Sequence, residues 1–426
     1  MIERYCLSPM RELWTPAAQY KRWLDVELAA LAAMEELGEI PAGSRAAVEE
    51  KVNVDIPRIR EIEEETGHDL LAFIRSLEEQ AGDPGRFIHH GLTSSDVKDT
   101  ALSLRINDSL NILLKEAVGL VDLLREKARR YEGFVIVGRT HGRHAEPTTL
   151  GLKFFIWHDE LIRDIERLRR AKETICVGKL SGPVGTYSMI DPRVEGLACR
   201  RLGLTPARVA SQILQRDRHA EVMAATALTG TTLEKIALEI RHLSRSEVEE
   251  VEEPTPQGSS SMPHKRNPII SERICGLARV LRGNLQAAFE NNALWHERDM
   301  SHSGVERIIF PDSLILLHYM LVKVRGLIDG LVVNPERISE NLKMSSGAIY
   351  SQSLLIALIE HGMSRSLAHE VVKAAAQRAR EVGTTFISAL NGDPRVADIL
   401  KGAPFDEETI LSRLRTTSHR IIEQEG

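Results

Sequence analysis

Apolar residues recur every three to four positions along most of the chain, the period of one helical face. Thr15-Pro16 has the form of an N-cap followed by proline at the first helical position. Tyr20, Leu24, Leu28, Leu31 and Leu37 then mark a stripe that Gly38 and Pro41 end. A shorter helix is expected after Pro57, ending at Gly67, which leaves His68 and Asp69 at a helix–helix junction. Asp69 to Gln80 is again amphipathic, and Gly82, Pro84 and Gly85 close it. Ser95 is expected to cap a much longer pattern of Val97, Ala101, Leu104, Leu110, Leu113, Ala117, Leu120 and Leu124, running towards Tyr131. About 35 residues at 1.5 Å each make a rod of about 50 Å.

Comparable stretches occupy about 148–174, 217–249, 270–293 and 304–331. Five helices of that length must bury their stripes on one another. The expected fold is all-α, a long central helical bundle over 94–340 flanked by smaller helical domains over 1–93 and 341–426. The acidic runs 61–65 and 247–253 are expected to be solvated helix ends.

Composition narrows the function. Lys and Arg total 55 against 61 Asp and Glu, a formal net charge of −6 that argues against a nucleic-acid surface. Cys6, Cys176, Cys199 and Cys275 are widely spaced, which disfavours structural zinc and a disulfide framework. No apolar run approaches the roughly 20 residues that span a bilayer, and the first residues carry no leader pattern. A cytoplasmic protein without membrane partners is expected.

Three connections between helices carry more chemistry than a linker needs. They are Phe87-Ile88-His89-His90-Gly91-Leu92-Thr93-Ser94-Ser95-Asp96, Gly138-Arg139-Thr140-His141-Gly142-Arg143-His144-Ala145-Glu146-Pro147, and Gln257-Gly258-Ser259-Ser260-Ser261-Met262-Pro263-His264-Lys265-Arg266-Asn267-Pro268. Each precedes a long helix, whose free N–H groups favour anions, so a carboxylate or phosphate ligand is expected. His89-His90 or His141 with His144 could ligate a metal, but no cysteine or suitably spaced carboxylate completes a set, and no metal or cofactor is expected.

The third loop resembles the signature of the fumarase/aspartase superfamily, G-S-S-x-M-P-x-K-x-N-P. Over nearly its whole length the chain resembles the adenylosuccinate lyase family within it. The resemblance is carried by Arg4-Tyr5, Gly67-His68-Asp69, His89, Leu92-Thr93-Ser94-Ser95-Asp96 and Gly138-Arg139-Thr140-His141. Gln212, Arg216-Asp217-Arg218-His219 and Trp295-His296-Glu297-Arg298-Asp299, with Ser303 and Arg307, add to it. The stretch from Pro254 to Gly258 is shorter than usual before this motif.

The resemblance implies a fumarase/aspartase-like fold and β-elimination of fumarate. The substrates it implies are adenylosuccinate, giving AMP, and succinylaminoimidazole carboxamide ribotide (SAICAR), giving AICAR, in purine biosynthesis. A base takes the proton beside a carboxylate, and an acid protonates the leaving nitrogen; the carbanion between them needs donors and cations around it. By resemblance Ser259 is the base, activated by a cationic surround, and His141 the general acid, a role suited to an imidazole. Lys265 and Asn267 hold the succinyl carboxylates, with Glu272 about one helical turn beyond, and Ser260 bonds a substrate carboxylate while Ser261 fills the variable position. His68 sits by the phosphate or assists His141, and His89 sits by the phosphate. Arg4, Tyr5, Arg298, Ser303 and Arg307 form the nucleotide set, where arginine suits bidentate phosphate contact. Thr93, Ser94 and Gln212 contact the succinyl group, and Gly67, Asp69 and Arg273 complete the substrate-binding residues. A homotetramer with shared active sites is implied as well.

Two other readings remain at this stage. One is a cycloisomerase of the same superfamily acting on carboxymuconate, which does not need the purine and phosphate set. The other is a non-catalytic helical scaffold, indifferent to substitution of Ser259.

Overall fold

The computed structural model describes residues 2–255, 257–258, 262, 264–400 and 404–424. Among the described residues six helices run 22 residues or more: Pro16–Leu37 and, along the five expected stretches, α1 (Ser94–Arg130), α2 (Leu150–Ile175), α3 (Asp217–Leu243), α4 (Ile269–Glu290) and α5 (Ser301–Asp329). The mostly helical architecture is the one the periodicity implies. Local signals act as expected at the N-terminal end. Thr15 Oγ1 accepts the Ala18 N–H at 3.2 Å, opening the helix Pro16–Leu37, and Gly38 closes it at φ +74°.

The chain forms two compact units. The first comprises Met1–Val118, Arg163–Glu234 and Ile274–Lys323; the second comprises Gly119–Ile162, Lys235–Arg273 and Val324–Gly426. Within the first, Tyr20, Trp23 and Phe73 pack as an aromatic trio with centroids 5.2–5.8 Å apart, at the centre of an apolar core. Within the second, Tyr350, Leu354, Leu358, Val371, Phe386 and Leu390 centre another.

Three local expectations change. α1 begins at Ser94, one residue before the expected cap, because Asp96 turns back to accept the Thr93 N–H at 2.8 Å. The 138–147 segment is no loop: Val135–Thr140 (β1) pairs antiparallel with Arg143–Thr149 (β2) in a hairpin that runs directly into α2. Its two turn residues, His141 at φ +55° and Gly142 at φ +72°, have the paired left-handed geometry of a two-residue hairpin turn. Gly138 is needed on β1, where a Cβ would lie 2.5 Å from the Glu146 carbonyl oxygen.

The acidic run 247–253 is not a solvated helix end either. α3 stops at Leu243, and Glu250 and Glu253 are each only 1% exposed. Glu253 accepts from the Ile270 and Ser271 backbone N–H groups at 3.1 and 2.8 Å and from Ser271 Oγ at 2.6 Å, so a carboxylate already caps α4. Gln257-Gly258 pairs antiparallel with Arg266-Asn267, bracketing the signature loop from both sides. Ser259 and Ser260, with Ser261 and Pro263, lie outside the described residues.

Candidate active site

In the first unit a cavity is lined by Asp69, Lys98, Arg298, Ser303 and Arg307, among others. Four of these are residues the sequence singled out, drawn from segments more than two hundred positions apart. Asp69 ties two of the lining cations together: its carboxylate bonds Arg307 Nη2 at 2.7 Å and, on its other oxygen, the Lys98 ammonium. Burial pushes the Asp69 carboxyl up, but Lys98 and Arg307 outweigh it and hold the group below the usual carboxylate range. Lys98 moves the other way. Burial, with Arg307 and Arg298 nearby, lowers its ammonium below the ordinary lysine value.

Lys98 is a residue that sequence reasoning missed. Its signal was available, since it stands four positions after Ser94 on α1 and shares that helix face. Its ammonium also lies 5.6 Å from the centre of the Trp23 ring, a favourable cation–aromatic placement.

Arg298 and Gln212, predicted separately, touch: Arg298 Nη1 donates to Gln212 Oε1 at 3.2 Å. The Trp295–Asp299 turn that presents Arg298 is fixed by Asp299, which accepts the Trp295 and Ser301 N–H groups at 2.7 and 2.8 Å. The hydroxyl of Ser301 and these backbone donors pull the Asp299 carboxyl down to about 2.

The histidines of this unit have defined roles in the fold. His68 caps the helix Asp69–Ala81, its Nδ1 accepting the Leu71 N–H at 3.2 Å. An accepting Nδ1 leaves the hydrogen of a neutral ring on Nε2, available as a donor. Gly67, at φ +64°, makes the junction that sets this ring. His89, at φ +60°, is gripped by Glu27, which bonds the ring Nδ1 at 2.7 Å and the backbone N–H at 2.9 Å. Burial works against the imidazolium, yet the Glu27 carboxylate prevails and raises His89 above the ordinary histidine value. A cationic ring of that kind suits an anion. His68, His89, Arg4 and Tyr5 do not line the cavity; Tyr5 instead packs edge-on against Tyr319 at 5.1 Å.

Thr93, next to Ser94, is held by Asp96, whose carboxylate gathers the buried Lys179 ammonium and the backbone N–H groups of Thr93, Ser181 and Gly182. Asp96 is therefore an anchor for this loop.

In the second unit His141 stands at the hairpin tip. Arg139, two residues before it, makes a bidentate pair with buried Glu250 at 2.6 and 3.0 Å, and Asn341 Nδ2 donates to the same carboxylate at 2.9 Å. Lys265, Asn267 and Glu272 line one cavity of this unit together with Arg241, His242 and Arg266, and Arg273 follows on α4. His141 is not among that lining. Glu253 occupies the first N–H groups of α4, so the helix terminus is not open to an anion, and the cations and amide of this lining are the side chains of Lys265, Arg241, Arg266 and Asn267.

Comparison with known proteins bears on this arrangement. Residues 6–283 match the family model described as Lyase, and residues 347–421 match that described as Adenylosuccinate lyase C-terminus. The chain is 46% identical over 411 residues, 96% of this chain and 95% of the relative, to an adenylosuccinate lyase of Synechocystis sp.. It is 47% identical over 403 residues, 94% of each chain, to an adenylosuccinate lyase of Bacillus subtilis. Among solved structures, a fumarate lyase from Mesorhizobium sp. superposes with a TM-score of 0.88 at 27% identity, covering 100% of this chain and 99% of that one. A 3-carboxy-cis,cis-muconate lactonizing enzyme from Pseudomonas putida superposes with a TM-score of 0.88 at 26% identity, covering 99% and 97%.

Proposed function

The chain belongs to the lyase family, on its adenylosuccinate lyase branch, and from that premise we propose how its own residues eliminate fumarate from adenylosuccinate and from SAICAR. The observation that carries the reading is the Asp69–Lys98–Arg298–Ser303–Arg307 cavity, a cationic and hydroxyl-bearing lining suited to a nucleotide phosphate. A carboxymuconate cycloisomerase shares the fold but has no nucleotide to bind, and the match over 347–421 to the adenylosuccinate lyase C-terminus favours the purine reading.

Ser259 takes the proton beside the succinyl carboxylate, and His141 protonates the departing nitrogen. Lys265 and Asn267 neutralise the carboxylate on which charge accumulates, Thr93, Ser94, Gln212 and Ser260 orient the succinyl group, and His68 and His89 serve the phosphate end. Arg4 and Tyr5 complete the nucleotide set.

The site is shared among subunits of a homotetramer working in the cytoplasm. Two features support assembly. The long helices leave Ile156, Leu228, Val280, Phe289 and Ile308 exposed, more apolar surface than isolated helices need. In addition, α1 alone runs 37 residues, about 55 Å, a rod whose apolar stripe needs neighbouring helices along its length.

Ultraviolet monitoring of the purified protein with each substrate tests the activity. Turnover of both is expected. Ser259→Ala and His141→Gln should each lose most of kcat while substrate still binds. A dead Ser260→Ala beside a near-normal Ser259→Ala would move the base by one residue.

A further inference from the structure

Along the wall of the cavity of the first unit, a chain of groups runs from Arg298 through His302 and Glu306 to Arg216, all of which line it. Arg298 Nε donates to His302 Nε2 at 3.3 Å. A guanidinium nitrogen can only donate, and one lies 3.3 Å from each ring nitrogen, so the tautomer is decided by Glu306, whose carboxylate can only accept and faces Nδ1 alone. The ring hydrogen therefore sits on Nδ1, which faces Glu306 Oε2 at 3.2 Å. Glu306 is fixed in turn by Arg216, at 2.9 Å to Oε1 and 3.1 Å to Oε2. Arg216 also grips Asp99, at 2.6 and 2.9 Å, and its side chain is 2% exposed. The 3.3 Å approach of Arg216 Nη2 to His302 Nδ1 then brings together two donors that share Glu306 Oε2.

The charges agree with this assignment. Arg216 and Arg298 are balanced by Asp99 and Glu306. His219, the other imidazole against this cluster, is pushed down to about 4 by burial and by Arg216, so it adds no charge. Both carboxyls are held below their usual range by Arg216 in spite of their burial. Arg216, saturated by two carboxylates, is left to hold the framework.

We propose that His302 is a positioning residue for substrate binding. It accepts from Arg298 Nε and so fixes the guanidinium with its Nη1 end on Gln212, while Glu306 enforces the tautomer that makes this possible. A free arginine side chain surrenders much rotamer freedom when it grips an anion, and His302 removes that cost before substrate arrives. His302 and Glu306 stand four residues apart on one face of α5, and Arg298 lies in the turn just before that helix. The inference rests on the reading of Arg298 as a substrate contact.

Glutamine is the informative replacement, since its amide oxygen can accept from Arg298 and its amide nitrogen can donate to Glu306. Relative to wild type, His302→Leu should raise KM for adenylosuccinate about ten- to hundredfold with kcat nearly kept. His302→Gln should restore KM to within about threefold. Arg298→Ala serves as the reference. An unchanged KM in Arg298→Ala contradicts the substrate-contact reading itself. A raised KM in Arg298→Ala, with His302→Leu normal or with His302→Gln as impaired as His302→Leu, overturns the positioning role alone. Should His302→Leu fail to fold, nuclear magnetic resonance of wild-type protein carrying nitrogen-isotope-labelled histidine decides, with His302→Gln assigning the signal. The Nδ1–H tautomer is required, and an Nε2–H tautomer overturns the proposal.

Discussion

The Lys179 ammonium is bonded to the Asp96 carboxylate with neither side chain accessible to solvent. Breaking such a pair from one side leaves an uncompensated buried charge, which costs about 3–5 kcal/mol. Lys179→Met should therefore destabilise the protein by about that amount, and adding Asp96→Asn should recover part of it. Denaturant unfolding of the single and double variants measures both. A loss under about 1 kcal/mol in the single variant would remove the pair as the anchor of Thr93.

The His89–Glu27 pair predicts a specific pH dependence. His89 is raised in the folded state, so its contribution is complete below the ordinary imidazole value, about 6.5, and fades as pH climbs through the raised value. The difference in thermal midpoint between wild type and Glu27→Gln should accordingly be largest on the acid side and shrink towards alkaline pH. A difference that is flat with pH, or that grows as pH rises, contradicts the assignment.

Gly138 tests whether the hairpin aims His141. A methyl group at this position meets the Glu146 carbonyl at 2.5 Å, so Gly138→Ala must shift β1 against β2. Misplacing a catalytic group by about 1 Å can cost about a hundredfold in rate, and kcat should fall towards that extent while KM changes little. Steady-state kinetics with adenylosuccinate give the answer. A normal kcat would mean that the hairpin's register does not matter to the acid.

The helices were legible because their cause is local. Stripes such as Val97-Ala101-Leu104 need only their own period to declare a buried face, and Thr15-Pro16 and Gly38 punctuate by backbone chemistry alone. The hairpin at 135–149 was hidden because Gly138, two histidines and Pro147 read as loop residues, whereas the turn that makes them strands is set by the His141-Gly142 conformation. Glu250 and Glu253 were misjudged for a different reason. An acidic run looks solvated until its partners are known, and these are Arg139, 111 positions away, and the N-terminus of α4. Lys98 was missed because a cation near the start of a helix is usually a surface residue; its spacing from Ser94 hinted at a shared face, and the fold sets it beside Asp69 and Trp23. The signature residues were legible through resemblance, not through geometry, and Ser259 and Ser260 lie outside the described residues.

The central claim is that Ser259 and His141 act on one substrate as base and acid, contributed by different subunits. Mixing the two inactive variants, Ser259→Ala and His141→Gln, and allowing their subunits to exchange tests it most directly. If the residues come from different chains, random assortment leaves about a quarter of the sites with both native groups. Activity should rise towards that fraction of wild type, and cross-linking each variant before mixing should prevent the recovery. Hybrid oligomers that form and stay inactive would contradict the shared site and place both residues on one chain.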